Sequence, residues 1–476
     1  MAKNKTEQKQ QYMICALLDD LVPEDHLVRK LDRYVDWSFI YDICDPLYSN
    51  RGTNRVDPVV LFKMMFINII FGYHSMRKTC EDIKVNLAYR WFLGLGFEDT
   101  VPDHSTFSQN YRRKFKDNNV SIRIFEAVID QLISNGVIDP SVLFIDGTHV
   151  KANANKHKDV SREVQAAAKR CKKLLDEDVA RDREEHGKKA LKEKKNQAPE
   201  IKEIKASRSD PDCGYFHKGE KEKCFAYNAN TSCDRHGYIL GMSLDPGNIH
   251  DSQAVYHVLD FIDHMPFSPE IEKIVADAGY SNPELAHYVG EKDKELIVPK
   301  KRTCSRGKGK YDKFRYEYDE KLDAYVCPQG CLLRYCTTSR EGRRIYKSSR
   351  KECEACPFRA SKCTESKDGV KTIERHIWQE DLDKATQRAS GTEKETYQKR
   401  KQTIEKVFAD GKRRHGLDYT LYTGFERVYD NLMLIFTGMN LKKLCTYLGR
   451  MQEAHCAQNS CFEHQNEETL KAMGIG

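Results

Sequence analysis

The stretch SVLFIDGTH, residues 141–149, is where the chain changes character. Behind Ser141 comes a short β-branched, apolar run, Val142 to Ile145, which ends in a carboxylate, Asp146, followed by Gly147. Such a run reads as a buried strand. An acid at its end lies where an α/β sheet exposes its working edge. A second short strand, Glu272 to Ala276, ends the same way at Asp277-Ala278-Gly279-Tyr280. Between the two, KCFAYNANTSCDRHGYILGMSL (223–244) reads as two strands joined at Asp234–Gly237. His250-Asp251-Ser252 then caps a helix, AVYHVLDFIDHM. A helix from Pro283 to Val289 and a strand from Glu295 to Pro299 follow. Helices run from about 383 to 414 and from about 425 to 448, separated by Gly416–Gly424. The order of elements is mixed α/β.

Upstream, the first 120 residues read as helical. Asp57 and Pro58 make an N-cap and first-turn pair. VVLFKMMFINIIFGYHS behind them is apolar nearly all round, which predicts a buried helix. At 103–116, DHSTFSQNYRRKFK starts with a cap and turns basic. A helical bundle with one basic helix suits DNA docking, and the same pattern suits a dimerisation or packing bundle. From about 156 to 206 the chain is dense in Lys, Glu, Asp and Arg, which predicts a charged helical hairpin or arm. The divisions that result are a helical domain over 1–125 and a first catalytic part over 136–300 carrying the 156–206 insertion. A basic, cysteine-rich insertion over 301–380, closing helices over 381–450 and a tail over 451–476 complete them.

Composition bounds the function. The 476 residues suffice for two or three domains. Apolar residues at 39% support a core, and 32% charged residues with a mean hydropathy of -0.71 exclude a polytopic membrane protein. The N-terminal MAKNKTEQKQQYM has no apolar stretch of the secretory type, so a soluble intracellular chain is expected. The net charge of +7 is less informative than its distribution. PKKRTCSRGKGKYDKFR (299–315) and KRKQTIEKVFADGKRR (399–414) are basic clusters suited to a phosphate backbone.

Seventeen cysteines are many for a reducing compartment, where thiols and metal ligands outnumber disulfides. Cys327, Cys331, Cys336, Cys353, Cys356 and Cys363 fall in one segment. Cys353 and Cys356 have zinc-knuckle spacing, with Cys327 and Cys363 as the best further ligands and Cys331 competing with Cys327. Buried or free thiols are the alternative to this structural Zn²⁺.

Two strand-end aspartates and a helical glutamate can hold Mg²⁺ or Mn²⁺ through hard oxygen ligands. Two such ions roughly 3.5–4 Å apart serve phosphodiester displacement. The pattern alone does not choose the glutamate. FIDGTHVKANANK (144–156), IVADAGYSNPE (274–284) and YQKRKQTIEKVFADGKRRHGLDYTLYTGFERV (397–428), in that order, resemble the DDE transposases of bacterial insertion sequences. The insertion sequence 1182 group is the nearest likeness. LVPEDH (21–26), PDHSTF (102–107) and MNLKKL (439–444) extend the resemblance over nearly the whole chain outside 156–206.

The resemblance implies a ribonuclease H-like catalytic core with an N-terminal helical domain. It also implies Mg²⁺-dependent cleavage of double-stranded DNA ends and joining of the freed 3′-OH to target DNA. The protein would then act as a homodimer or higher multimer in the bacterial cytoplasm, on the nucleoid. Carried over by position, Asp146, Asp277 and Glu405 become the catalytic, metal-binding acids. Tyr397, Arg400 and Lys412 fall on the family's Y-x2-R-x3-E-x6-K pattern as DNA contacts. Four residues separate Arg400 from Glu405 here, and Lys401 occupies the strict position. Glu405 and Lys412, seven apart, share a helix face.

Other residues receive smaller roles. His149 and Lys151 are placed to touch phosphate or to pack a turn, His250 to cap a helix, and Trp378 to stack on a base or fill a core. Two rivals remain: a nuclease or junction resolvase on the same core, and an inactive domesticated DNA-binding protein.

Overall fold

The strand expected to stop at Asp146 runs on. β1 spans Val142–Lys151, so Asp146 lies within it rather than at its end. In the computed structural model, which describes residues 17–48, 56–155, 158–165, 170–192, 201–218, 222–301, 311, 313–364 and 366–472, the reason is in the pairing. The parallel ladder on one side of β1 stops at Phe144. The antiparallel ladder on its other side continues from Phe144 to Lys151 and keeps the chain extended past Gly147.

The charged segment contributes β2 (Asp159–Gln165) and β3 (Ile201–Ser207). β4 (Gly214–Lys218), β5 (Glu222–Cys233), β6 (Ile239–Pro246), β7 (Lys273–Val275) and β8 (Glu295–Ile297) follow. The cysteine-rich segment holds β9 (Glu317–Asp319), β10 (Ala324–Val326), β11 (Leu332–Thr338), β12 (Arg343–Ser348) and β13 (Thr372–His376).

The main sheet runs β6-β5-β1-β7-β8, with β4 paired to the first residues of β5. β6, β5 and β1 are antiparallel in turn; β1, β7 and β8 are parallel. The parallel half is reached by a crossover that carries the helix Asp251–Asp263, as parallel strands require. His250 caps that helix, its Nδ1 accepting from Ser252 N at 3.1 Å, as the sequence suggests.

The apolar helix predicted behind Asp57 spans Pro58–Ile70. Asp57 accepts from Val59 N at 2.7 Å, and ten of its thirteen residues are buried. It crosses the C-terminal helix, Phe425–Ala472, at Gly438, where a Cβ would come within 2.8 Å of Ile69 Cγ2. That helix continues to Ala472, within the stretch read as a tail. The helix Val120–Ser134 spans the boundary drawn at 125, and its Ile124, Phe125, Val128, Ile129 and Leu132 belong to the same apolar core as β1, β5 and β6. The helical region and the sheet therefore share one core.

Two expectations change. The described part of 156–206 is not a helical hairpin: β2 and β3 pair antiparallel over their whole length and flank the helix Lys172–Glu185. Val160 and Ile204 supply β-branched residues that the surrounding charge obscures, since a two-stranded ribbon needs only cross-strand pairs. The basic stretch at 103–116 is also not one helix. A regular helix, His104–Asn110, gives way to a π-type turn over Tyr111–Phe115. Phe115 enters the core, Tyr111 Oη donates to Asp430 at 2.6 Å, and Arg112 and Arg113 stay exposed. The cysteine-rich segment forms a separate antiparallel sheet, β13-β12-β11-β10-β9. Most of the basic cluster at 299–315 lies outside the described residues.

Candidate active site

Three acids from distant parts of the chain face one guanidinium. Asp146 stands on β1 just past the end of its parallel ladder. Asp277 stands two residues beyond β7, its Oδ1 held by Gly279 N at 2.6 Å. Glu405 is the second residue of the helix Ile404–Arg414. Arg400 Nη2 lies 3.2 Å from Asp146 Oδ2 and 3.9 Å from Asp277 Oδ2, while Nη1 lies 3.0 Å from Glu405 Oε1. The Arg400 side chain is 11% exposed. Its Nε has no partner among the described residues.

Arg400 reaches this position because the chain before Glu405 is not a continuous helix. A helix Lys394–Lys399 tightens into a 3₁₀ turn over Arg400–Gln402, and Thr403 breaks the run at φ -108°, ψ -94°. The break takes up the extra residue between Arg400 and Glu405. Tyr397, part-buried one turn earlier, has its hydroxyl pKa raised by burial, with the charges of Arg400, Asp277, Glu405 and Asp146 all acting on it. Lys412 is exposed two turns beyond Glu405 on the same helix.

The sequence reading missed a fourth acid and its supports. Asp251, at the start of its helix, accepts from Asn228 Nδ2 at 2.9 Å. Its carboxylate is near enough for the charge to act on Asp146. Asn228 and Asn230 are fully buried, alternate on β5, and face Gly147. A Cβ on Gly147 would lie 2.9 Å from Asn228 Oδ1, 3.1 Å from Asn230 Oδ1 and 3.2 Å from Asp251 Oδ1. The available signal is period-two asparagine inside an apolar strand, FAYNANTS, which is costly unless the amides are used. Tyr280 Oη donates to Asn230 Oδ1 at 3.4 Å.

Burial pushes the Asp146 carboxyl up to about 6; Arg400 pulls it down, and Asp277 and Asp251 push it further up. Three carboxylates thus share a single guanidinium, with the charge of Asp251 also acting on Asp146, an excess of negative charge that further cations would relieve. Among the described residues no three His, Cys, Asp or Glu side chains are already gathered as a metal-ligand set. Here the chain's own cation stands among the acids. The donor set is hard oxygen throughout, the chemistry that Mg²⁺ and Mn²⁺ take.

A cleft of about 710 Å³ is lined by Gln402 and Thr403, beside Glu405 in the chain, and by Lys406, Arg413, Arg414, Lys442, Lys443 and Arg450. Asp410 is the one acid among its lining residues.

The remaining candidates separate. Trp378 is core: it is 5% exposed, stacks on His287 at 4.2 Å and donates from Nε1 to Asp178 at 2.8 Å. His149 stacks on Phe216 at 3.6 Å. Lys151 is an exposed residue at the end of β1, its N–H bonded to Asp418 O. Cys327, Cys331, Cys353, Cys356 and Cys363 line a second, small cavity, and Cys336 is not among its lining residues.

Acids drawn together beside a mixed sheet, with a basic cleft lined by the same C-terminal helices, put hard oxygen donors close to cationic side chains. Residues 16–113 match the family described as a transposase domain (DUF772), and residues 326–445 match the transposase DDE domain. Together these matches support a DDE transposase. The second includes Tyr397, Arg400, Glu405 and Lys412 and begins after Asp146 and Asp277. No curated protein matches the chain. Among the described residues no helix is long and apolar enough to cross a membrane.

Proposed function

We propose that the protein is the transposase of a bacterial insertion sequence of the 1182 group, working on double-stranded DNA with a ribonuclease H-like core. The observation that carries this reading is the meeting of Asp146, Asp277 and Glu405 on one guanidinium, from three elements far apart in sequence. The strand order β6-β5-β1-β7-β8, antiparallel on one side of β1 and parallel on the other, supports the core assignment.

Asp146, Asp277 and Glu405 would hold Mg²⁺ or Mn²⁺, with Asp251 adding negative charge at the rim. Bound there, the ions would activate the attacking oxygen and stabilise the leaving oxygen of a phosphodiester. The chain's own groups do the rest. Arg400 holds the acids apart at rest, and once the acids take a cation its guanidinium is free to pair with a phosphate. Tyr397 closes the side of the site next to it. The basic cleft, with the exposed Arg112 and Arg113, neutralises backbone phosphates of the element's inverted-repeat ends and of the target. Paired ends call for at least a dimer, in the bacterial cytoplasm.

The experiment is incubation of wild type and Glu405→Gln with Mg²⁺ and a duplex bearing the element's end. Cleavage and joining that vanish in the variant are expected. Cleavage without joining, with no strand transfer of a pre-cut end, would turn the assignment to a nuclease. Binding with neither reaction in wild type would leave the protein a DNA binder only.

A further inference from the structure

Away from the acids, five cysteines from separate stretches of the insertion open onto one cavity of about 30 Å³. Cys327 and Cys331 flank the turn between β10 and β11. Cys353 and Cys356 lie in and just after the short helix Arg350–Glu354, and Cys363 ends the turn beyond it. All five are free thiols. We infer that this cavity is a structural zinc site, with Cys327, Cys353, Cys356 and Cys363 supplying the thiolates and releasing their protons to solvent on binding.

The cavity sets thiols up to 36 positions apart in the chain (363 minus 327) around one space, and because no three of them are gathered as a ligand set among the described residues, the ion would have to draw them in. The Cys327 sulfur accepts from two backbone donors, Gln329 N at 3.4 Å and Cys331 N at 3.3 Å, in a turn made by Gly330 at φ 81°. Donors aimed at a sulfur stabilise it as an anion and fix its direction. The Cys331 backbone thus supports Cys327, while the Cys331 thiol, which also lines the cavity, is the competing ligand. Cys363 Sγ lies 3.1 Å from Tyr316 Oη, and Cys353 Sγ lies 3.1 Å from Ser348 Oγ, so two further sulfurs have partners that orient them.

Charge agrees. A tetrathiolate zinc centre carries a net charge of about -2. Lys371 and Arg359 both line the cavity, and Lys371 Nζ donates to Cys363 O at 3.2 Å. The need for a staple is equally plain. The five-stranded sheet has its own small core of Tyr316, Tyr325, Leu333, Tyr346 and Ile373, with Cys327 and Cys363 packed on its margin. A unit this poor in buried apolar residues is stabilised in nature by a metal or by disulfides. A metal draws the segment that carries Cys353, Cys356 and Cys363 onto the β10–β11 turn.

Full-length protein purified without chelator should carry about one zinc per chain by plasma mass spectrometry. Cys353→Ser with Cys356→Ser should lose it, and Cys336→Ser should keep it. Co²⁺ in its place should give the thiolate charge-transfer and tetrahedral bands of a four-sulfur site. Should the double variant fail to fold, wild type decides alone: chelation should expose the four named thiols to iodoacetamide. Wild type without zinc and without a cobalt spectrum would overturn the proposal, as would zinc kept by the double variant or disulfides among these cysteines. Zinc lost from Cys331→Ser yet kept by Cys363→Ser would overturn the ligand set.

Discussion

Arg400 donates to Asp146 from inside the space that Asp277 and Glu405 also border, Nη2 standing 3.2 Å from Asp146 Oδ2. The residue one place off the family spacing is therefore the one that organises the acids. Its guanidinium compensates carboxylates that are costly to bury alone.

Arg400→Ala should destabilise the protein in the presence of chelator by roughly 3 kcal/mol. Removing one partner of a buried ion pair costs about 3–5 kcal/mol, and half-exposed Glu405 moves the value to the low end. Mn²⁺ should restore more stability to the variant than it adds to wild type. Urea unfolding with and without the metal checks this; an equal response of the two proteins would show that the metal does not take over the place of Arg400.

The raised pKa of Asp146 has a definite sign. Its folded value of about 6 lies above the ordinary carboxyl range, so the native state holds the proton longer than the unfolded chain does. The contribution is fully present below about pH 4 and is lost as pH rises to 6, amounting to about 2–3 kcal/mol. Metal-free wild type should lose this much stability relative to Asp146→Asn between pH 4 and pH 6. A pH-independent difference would mean that Asp146 titrates normally.

Gly147→Ala should lower stability by about 1–3 kcal/mol, the cost of forcing an extra carbon into a packed site. The new Cβ meets three oxygens of Asn228, Asn230 and Asp251, and the two asparagines have nowhere to move. Thermal unfolding measures it, and a melting temperature equal to that of wild type would show that β5 can retreat from β1.

Replacing Arg413 and Arg450 in the cleft by alanine should weaken duplex binding across sequences. The slope of log K against log salt should fall by about 1 for each phosphate that is no longer neutralised. Fluorescence anisotropy over a salt series reads this, and an unchanged slope would put the duplex on another surface.

Much of the fold was legible in the chain. Asp57-Pro58 and the apolar run behind it gave the buried helix. The short runs before Asp146 and Asp277 gave the central parallel pair, and the hairpin at 223–244 its antiparallel side. These are local signals, and tertiary packing agrees with them. The extent of β1 was not legible, because what carries it past Gly147 is a ladder with β5, a partner some 80 residues away. β2 and β3 were hidden by composition, since a charged ribbon and a charged helix look alike without counting period two. In the site, Asp251 looked like an ordinary first-turn acid of a helix capped by His250, and only the fold sets it beside Asp146. Arg400 needed the break at Thr403, which no residue preference announces.

The pairing of β1 on both flanks bears on how the site moves. β1 is paired with β7 up to Phe144 and with β5 from Phe144 to Lys151, so exchange of its amide hydrogens should need the sheet itself to open. Glu405 sits at a helix start with no side-chain cap, directly after a backbone break, so its first turn should exchange by local fraying. Two parts of unequal backbone protection thus make up one acid cluster: Asp146 held in a sheet ladder, and Glu405 on a helix turn that should open first.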